Sequence, residues 1–137
     1  MNRFWNEYQK AIADDHFFYE RSCIRQTFFP GSETAFLRML REELNKDIFD
    51  DFRQHTCTGI GYHTDVVPLE TTMTVVARLF SLMTEHGYEN YVPSCVTSFG
   101  VFTEMVHMWQ EHPELLEKTR ENLYKACKRE FNIPKNI

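Results

Sequence analysis

The sequence predicts an α/β domain: a small parallel sheet with helices packed on its faces and an extra helix at the N-terminus. Three observations point there. Stretches rich in aromatic and β-branched residues at 17–23, 48–57 and 90–95 each precede a segment of helical periodicity, and strands separated by helical crossovers pair in parallel. The 137 residues suffice for one domain with a real core and leave no room for a second complete one. The 12 Phe, 6 Tyr and 2 Trp need a core or interface that absorbs many rings, which argues against disorder.

In chain order, "FWNEYQKAIA" sets Phe4, Trp5, Tyr8, Ala11 and Ile12 on one face by three-and-four spacing. This gives a leading helix over residues 1–16, ahead of a main domain at 17–137. "FFYERSC" at 17–23 has the aromatic density of a first strand, and "IRQTFFPG" reads as the loop after it. Ser32 is the expected cap of "SETAFLRMLREELN", where Phe36, Leu37, Leu40 and Leu44 recur at helical spacing and Glu33 suits the positive helix end. "IFDDFRQHTC" at 48–57 is the second strand, weakened by Asp50 and Asp51, and the acidic run "DIFDDF" reads as a solvated face.

"TGIGYHTDVVP", with two glycines and a proline, has loop chemistry. Pro68 sits in the first turn of "LETTMTVVARLFSLMTEHG", which turns Met73, Val76, Leu79, Phe80 and Met83 inward and closes at Gly87. "NYVPSC" is the third strand, and Cys95 to Gly100 is the turn after it. "VFTEMVHMWQEH" follows as a helix broken by Pro113, and "PELLEKTRENLYKACKREF" makes the last one, with Cys127 beside Leu123 and Tyr124 on its core face.

Composition excludes several classes of function. A net charge of -5 with the two signs interspersed disfavours a phosphate-backbone partner, so no nucleic acid is expected. No stretch approaches the roughly 20 apolar residues that cross a bilayer, and "MNRFWNEYQK" lacks the apolar run of a signal peptide. A cytoplasmic chain is expected, with peripheral membrane contact through a partner subunit left open. Cysteines in a reducing compartment are more often free, metal-bound or redox-active than bridged.

Three of the four cysteines occupy equivalent places: Cys23 after the first strand, Cys57 after the second and Cys95 after the third. The carboxyl ends of parallel strands lie along one edge, where ligands bind. Thiolates there suit soft metals or an iron-sulfur cluster. Three are one short of a closed zinc or cubane site, so His63 in the glycine loop is a candidate fourth ligand, with His55 weaker. The bland alternative is that each cysteine is a small buried hydrophobe, the reading preferred for Cys127. His63, Asp65 and Ser98 form no defensible catalytic set, and "PGSE" at a helix start is far from a phosphate loop.

The spacing of Cys23, Cys57 and Cys95, with "CIRQTFFPGSETAFLRML", "TCTGIGYH" and "TTMTVVARLFSLMTEHGYENYVPSCVTSFGVFTE", resembles one cysteine-rich CCG domain of the heterodisulfide reductase B subunit and related redox subunits. The match covers about residues 17–131 and is strongest in the last block. In that family a Cys-Cys pair opens the middle loop and a C-x-x-C motif follows the third strand. Here Thr56 and Ser98 stand where two of the five cysteines should be.

The resemblance implies a non-autonomous subunit of an oxidoreductase, receiving electrons from an iron-sulfur C-type or flavin A-type subunit. It implies an iron-sulfur cluster, in the family a noncubane 4Fe-4S type, held by Cys23, Cys57 and Cys95, with Ser98 either a lost ligand or an oxygen ligand. Thr56, Thr97 and Ser98 could supply hydrogen bonds that tune it. Two alternatives stand beside this one. One is a domain without cofactor that serves as a docking module, with "NRFWNEYQ" and "FTEMVHMW" as interface anchors rather than core. The other is a structural zinc site made by the three thiolates and His63.

Overall fold

The computed structural model describes residues 16–21, 23–54 and 59–137. The leading-helix positions from Phe4 to Ile12, and His55, Thr56 and Cys57, lie outside the described residues. Strands β1 (His16–Glu20), β2 (Asp47–Phe49) and β3 (Tyr91–Pro93) form one parallel sheet in the order β2-β1-β3. Phe17 pairs with Ile48, Phe18 with Tyr91 and Glu20 with Pro93. The α/β class and the parallel sheet are as the sequence predicts, with six helices around the sheet among the described residues.

The strands are shorter than expected because helices and turns claim their ends. Cys23 opens helix α1 (Cys23–Phe28), where a loop was expected. Helix α2 (Pro30–Arg38) begins two residues before the expected cap, because a proline with fixed φ and no N–H suits a first helical turn. Ser32 therefore lies inside α2 and donates its hydroxyl to the Phe29 carbonyl at 2.9 Å. The helix relaxes into a π-turn over Met39–Glu43. β2 stops at Phe49, a 3₁₀ turn follows at Phe52–Gln54, and the glycine loop contains a short helix, α3 (Gly59–His63).

Helix α4 (Leu69–Glu85) starts directly after Pro68, and Gly87, at φ 75°, provides the left-handed residue that ends it. Helix α5 (Val96–Glu111) starts at once after Cys95, and Pro113 opens α6 (Pro113–Cys127). The turn expected from Cys95 to Gly100 is thus the first turn of α5. The C-terminal tail lies along β3, bridging Asn90 to Asn136, and so covers that edge of the sheet.

Period-two alternation sends Phe18 and Tyr19 to opposite faces of β1. Phe18 joins the main core with Met73, Val76, Leu79, Phe80 and Met83 of α4, the five residues expected inward. Phe80 meets Tyr91, Phe102 and Trp109 edge-on at centroid distances of 5.1, 5.7 and 6.3 Å. Burying each such ring contributes about 1.5–3 kcal/mol. Phe102, Met105 and Trp109 are core, so these three are not docking anchors. Tyr19 packs with Leu37 and Ile48 on the other face.

Two further expectations are corrected. Cys127 is exposed at the last position of α6, where its thiol donates to the Leu123 carbonyl at 3.4 Å. The acidic run is solvated only at Asp47, which is exposed: Asp50 pairs with Arg21 and Arg41, and Asp51, 5% exposed, is gripped by Arg53 and His86. Partners two to 35 residues away could not be matched to these carboxylates from the local pattern alone. No helix among the described residues is long and apolar enough to cross a membrane.

Candidate functional site at the ends of β1 and β3

The chain passes from central β1 to β2 on one side and then crosses to β3 on the other. That reversal makes the carboxyl ends of β1 and β3 the topological switch point, where open α/β sheets bind ligands. Both strands lead into a cysteine there. Cys23 is exposed at the start of α1, and Cys95 is half-buried at the N-cap of α5, with extended backbone at φ -128° and ψ 132°. Arg25, in the first turn of α1, donates to the Ser94 carbonyl at 3.4 Å and ties the two strand ends together. The Cys95 thiol sits at the N-terminal end of α5. Beside it lies an apolar cleft of about 350 Å³, lined by Val92, Pro93, Cys95, Val96 and Phe99.

Beneath Cys95 the structure buries an acid that sequence reasoning missed. Glu20, the last residue of β1, is 0% exposed, and its Oε1 accepts a hydrogen bond of 3.2 Å from the Ser98 hydroxyl, itself 1% exposed. The other carboxyl oxygen has no hydrogen-bond partner among the described residues. Burial pushes the Glu20 carboxyl up to about 8; the Ser98 bond opposes this, and the nearby Cys95 and Glu33 reinforce it. At neutral pH Glu20 is therefore largely protonated. Glu33, 3% exposed, accepts a bond from the Tyr19 hydroxyl at 3.3 Å. The available signal was "FFYE", an acid closing a strand of aromatic residues.

The B subunit of ferredoxin:CoB-CoM heterodisulfide reductase from Methanosarcina acetivorans is 29% identical to this chain over 109 residues, 80% of the chain and 34% of that relative. The chain is a domain similar to the heterodisulfide reductase B subunit. It spans about a third of the length of the curated relative it matches. No family model and no solved structure matches it.

In this heterodisulfide-reductase-like domain the donors at the switch point, among the described residues, are the Cys23 and Cys95 thiols, a buried hydroxyl already bonded to Glu20, and the Glu20 carboxyl itself. Among the described residues no three of His, Cys, Asp and Glu converge as a metal would require. His63 is exposed at the end of α3, with its ring 5.5 Å from that of Tyr62. Cys57, the third thiol of the expected set, lies outside the described residues. A cavity of about 490 Å³ on the opposite face is lined by Arg21, Glu33, Arg38 and Arg41. Its arginines are neutralised by Asp50 and Glu42, which leaves little net charge to hold an anion.

Proposed function

We propose that residues 17–137 form a sulfur-redox domain of heterodisulfide-reductase type, acting in the cytoplasm as part of a multi-subunit oxidoreductase. The observation that carries this reading is the delivery of Cys23 and Cys95 to the switch point by adjacent parallel strands. Cys57, outside the described residues, is the third thiol of the expected set. The relative's name speaks of a heterodisulfide and a ferredoxin; a disulfide substrate and an iron-sulfur electron donor are the corresponding reading here.

Two chemistries suit strand-end thiols: ligation of an iron-sulfur cluster, and direct attack on a disulfide. The donor set under Cys95 favours the second. The Cys95 thiolate attacks one sulfur of RS–SR, the S–S bond breaks, a Cys95–S–S–R mixed disulfide forms, and RS⁻ leaves and takes up a proton. A second thiol or an electron-donating subunit then reduces the mixed disulfide. The apolar cleft suits an R group of low polarity, and exposed Val96 next to Cys95, with exposed Phe28 and Phe29 at the far end of α1, suits the docking of a partner subunit.

Reaction of the reduced protein with a small aromatic disulfide, followed by peptide mass spectrometry, tests this. Cys95 at a helix N-terminus is expected to form its mixed disulfide at least about tenfold faster than Cys127 at a helix C-terminus. Equal rates at the two thiols would remove the reading.

A further inference from the structure

Glu33 puts a carboxyl at a position that the helix pattern assigns to the core. It lies one turn before Leu37, and these two are the buried residues of α2. At 3% exposure its one hydrogen bond among the described residues is the long one from the Tyr19 hydroxyl, and no arginine there is in ion-pair range. A place in the first turn suits the helix dipole, but no described backbone N–H is bonded to the carboxyl. A buried carboxyl with one weak donor is costly unless something else meets it.

Glu33 borders the cavity of about 490 Å³, a size usual for small-molecule sites. Pro30 and Leu37 give this cavity apolar wall, and Arg21, Arg38 and Arg41 line it as well. Arg21 commits Nε and Nη2 to Asp50, and Arg38 commits the same pair to Glu42. Arg41 commits them to Asp50 and the Ile48 carbonyl. Each guanidinium is therefore held by an acid and keeps an Nη1 without a partner among the described residues. Three guanidinium groups stand against three carboxyl groups, those of Asp50, Glu42 and Glu33, and of these acids Glu33 alone lacks an arginine. A simple anion would meet three carboxyl groups and a simple cation three guanidinium groups. A ligand with one pole of each sign avoids both penalties.

We propose that this cavity binds a small zwitterion of the amino-acid class, with its ammonium on the Glu33 carboxyl, its carboxylate on the arginine Nη1 donors and its side chain against Pro30 and Leu37. Charge-assisted bonds of both signs fix the orientation of the ligand. The site is separate from the Cys95 cleft and does not depend on the sulfur chemistry proposed above. One side chain links the two places: the Tyr19 hydroxyl that bonds Glu33 is also hydrogen-bonded to the side chain of Ser94, the residue before Cys95.

The test is amide NMR of the isotope-labelled full chain, titrated with L-norleucine and with its two halves: n-pentylamine, which lacks the carboxylate, and hexanoate, which lacks the ammonium. Norleucine is expected to shift the amides of Glu33, Thr34 and Leu37 and to bind at least about tenfold more tightly than either half, the worth of one hydrogen bond between charged groups. Glu33→Gln should erase the advantage over hexanoate and leave the advantage over pentylamine. Arg38→Gln should reduce the advantage over pentylamine and leave that over hexanoate. A purely structural loss would weaken all three probes together. The same spectra report folding, and if Glu33→Gln does not fold, Arg38→Gln, at an exposed position, carries the test.

Equal affinity for the three probes would overturn the inference, as would norleucine shifts confined to other surfaces or no shift up to the solubility limit of norleucine. Unchanged selectivity in either folded variant would do the same. None of these readouts involves the mixed-disulfide rate at Cys95, so the zwitterion site and the sulfur site fail separately.

Discussion

Two buried carboxyl groups follow neighbouring strands of the same sheet and end in opposite ionisation states. Asp51, two residues beyond β2, is 5% exposed; Glu20, at the end of β1, is 0% exposed. Asp51 accepts both the backbone N–H and the guanidinium of Arg53, with further support from His86 at 3.0 Å. Those bonds hold its carboxyl well below the usual carboxylate range. Glu20 receives one hydroxyl, and burial drives it the other way, up to about 8. Arg21, the adjacent residue, is committed to Asp50. Burial alone therefore does not decide the charge; the supply of donors does. One acid fixes the fold as an ion, and the other is available as a neutral group under a thiol.

The largest effect follows from removing the ionised member. Asp51→Asn leaves the Arg53 guanidinium facing an amide and is expected to lower stability by about 3 kcal/mol, read as the shift in a urea unfolding midpoint at constant slope. The wild-type contribution is present above the unfolded aspartate value, near about 4, and is lost as pH falls through the lower folded value. A variant as stable as wild type at pH 7 and at pH 3 alike would mean that the pair contributes nothing to folding.

Glu20 gives the opposite sign. Its folded value exceeds the unfolded one, so the unfolded chain releases the proton first as pH rises. The contribution is intact below about 4 and lost progressively up to about 8, at a slope of up to about 1.4 kcal/mol per pH unit. Glu20→Gln should flatten that slope. Because glutamine has its own desolvation cost, the gain at pH 7 is expected to be about 1 kcal/mol, smaller than the Asp51 effect. Parallel stability curves for wild type and variant between pH 5 and 8 would show that Glu20 is ionised in the fold, and the contrast with Asp51 would collapse.

The same contrast explains what could be read from the sequence. The helices from Leu69 onward were legible because apolar spacing, Pro68, Gly87 and Pro113 all act within a few residues of where they are found. The parallel sheet followed from three short strands separated by helices. The strand ends were harder, since Asp50 and Asp51 take arginine partners from several different segments, and an acidic run with distant partners looks the same as a solvated one. At the site, the positions of Cys23 and Cys95 at strand ends were legible from the order of elements. Glu20 was not, because its partner lies 78 residues away on α5, and only the pairing of β1 with β3 brings the two together. Ser98 was recognised for the cysteine it stands in place of; its role as a donor depends on that same tertiary contact.

The smallest effect tests that contact most directly. Ser98→Ala deletes the one hydrogen bond described for Glu20, and that bond favours the charged carboxylate. Its loss should therefore move the carboxyl midpoint upward from about 8, away from physiological pH, while stability at pH 6, where the acid is neutral in both proteins, changes by about 1 kcal/mol or less. The carbonyl stretch of the protonated acid, followed by infrared titration with Glu20→Gln as the blank, reads the midpoint directly. A midpoint that stays in place would mean that the hydroxyl does not donate to Glu20 in solution, which would leave Ser98 available as an oxygen ligand. A downward shift would indicate that Ser98 had been excluding water from the carboxyl, so that solvation outweighs the lost bond and Glu20 belongs with Asp51 among the ionised acids.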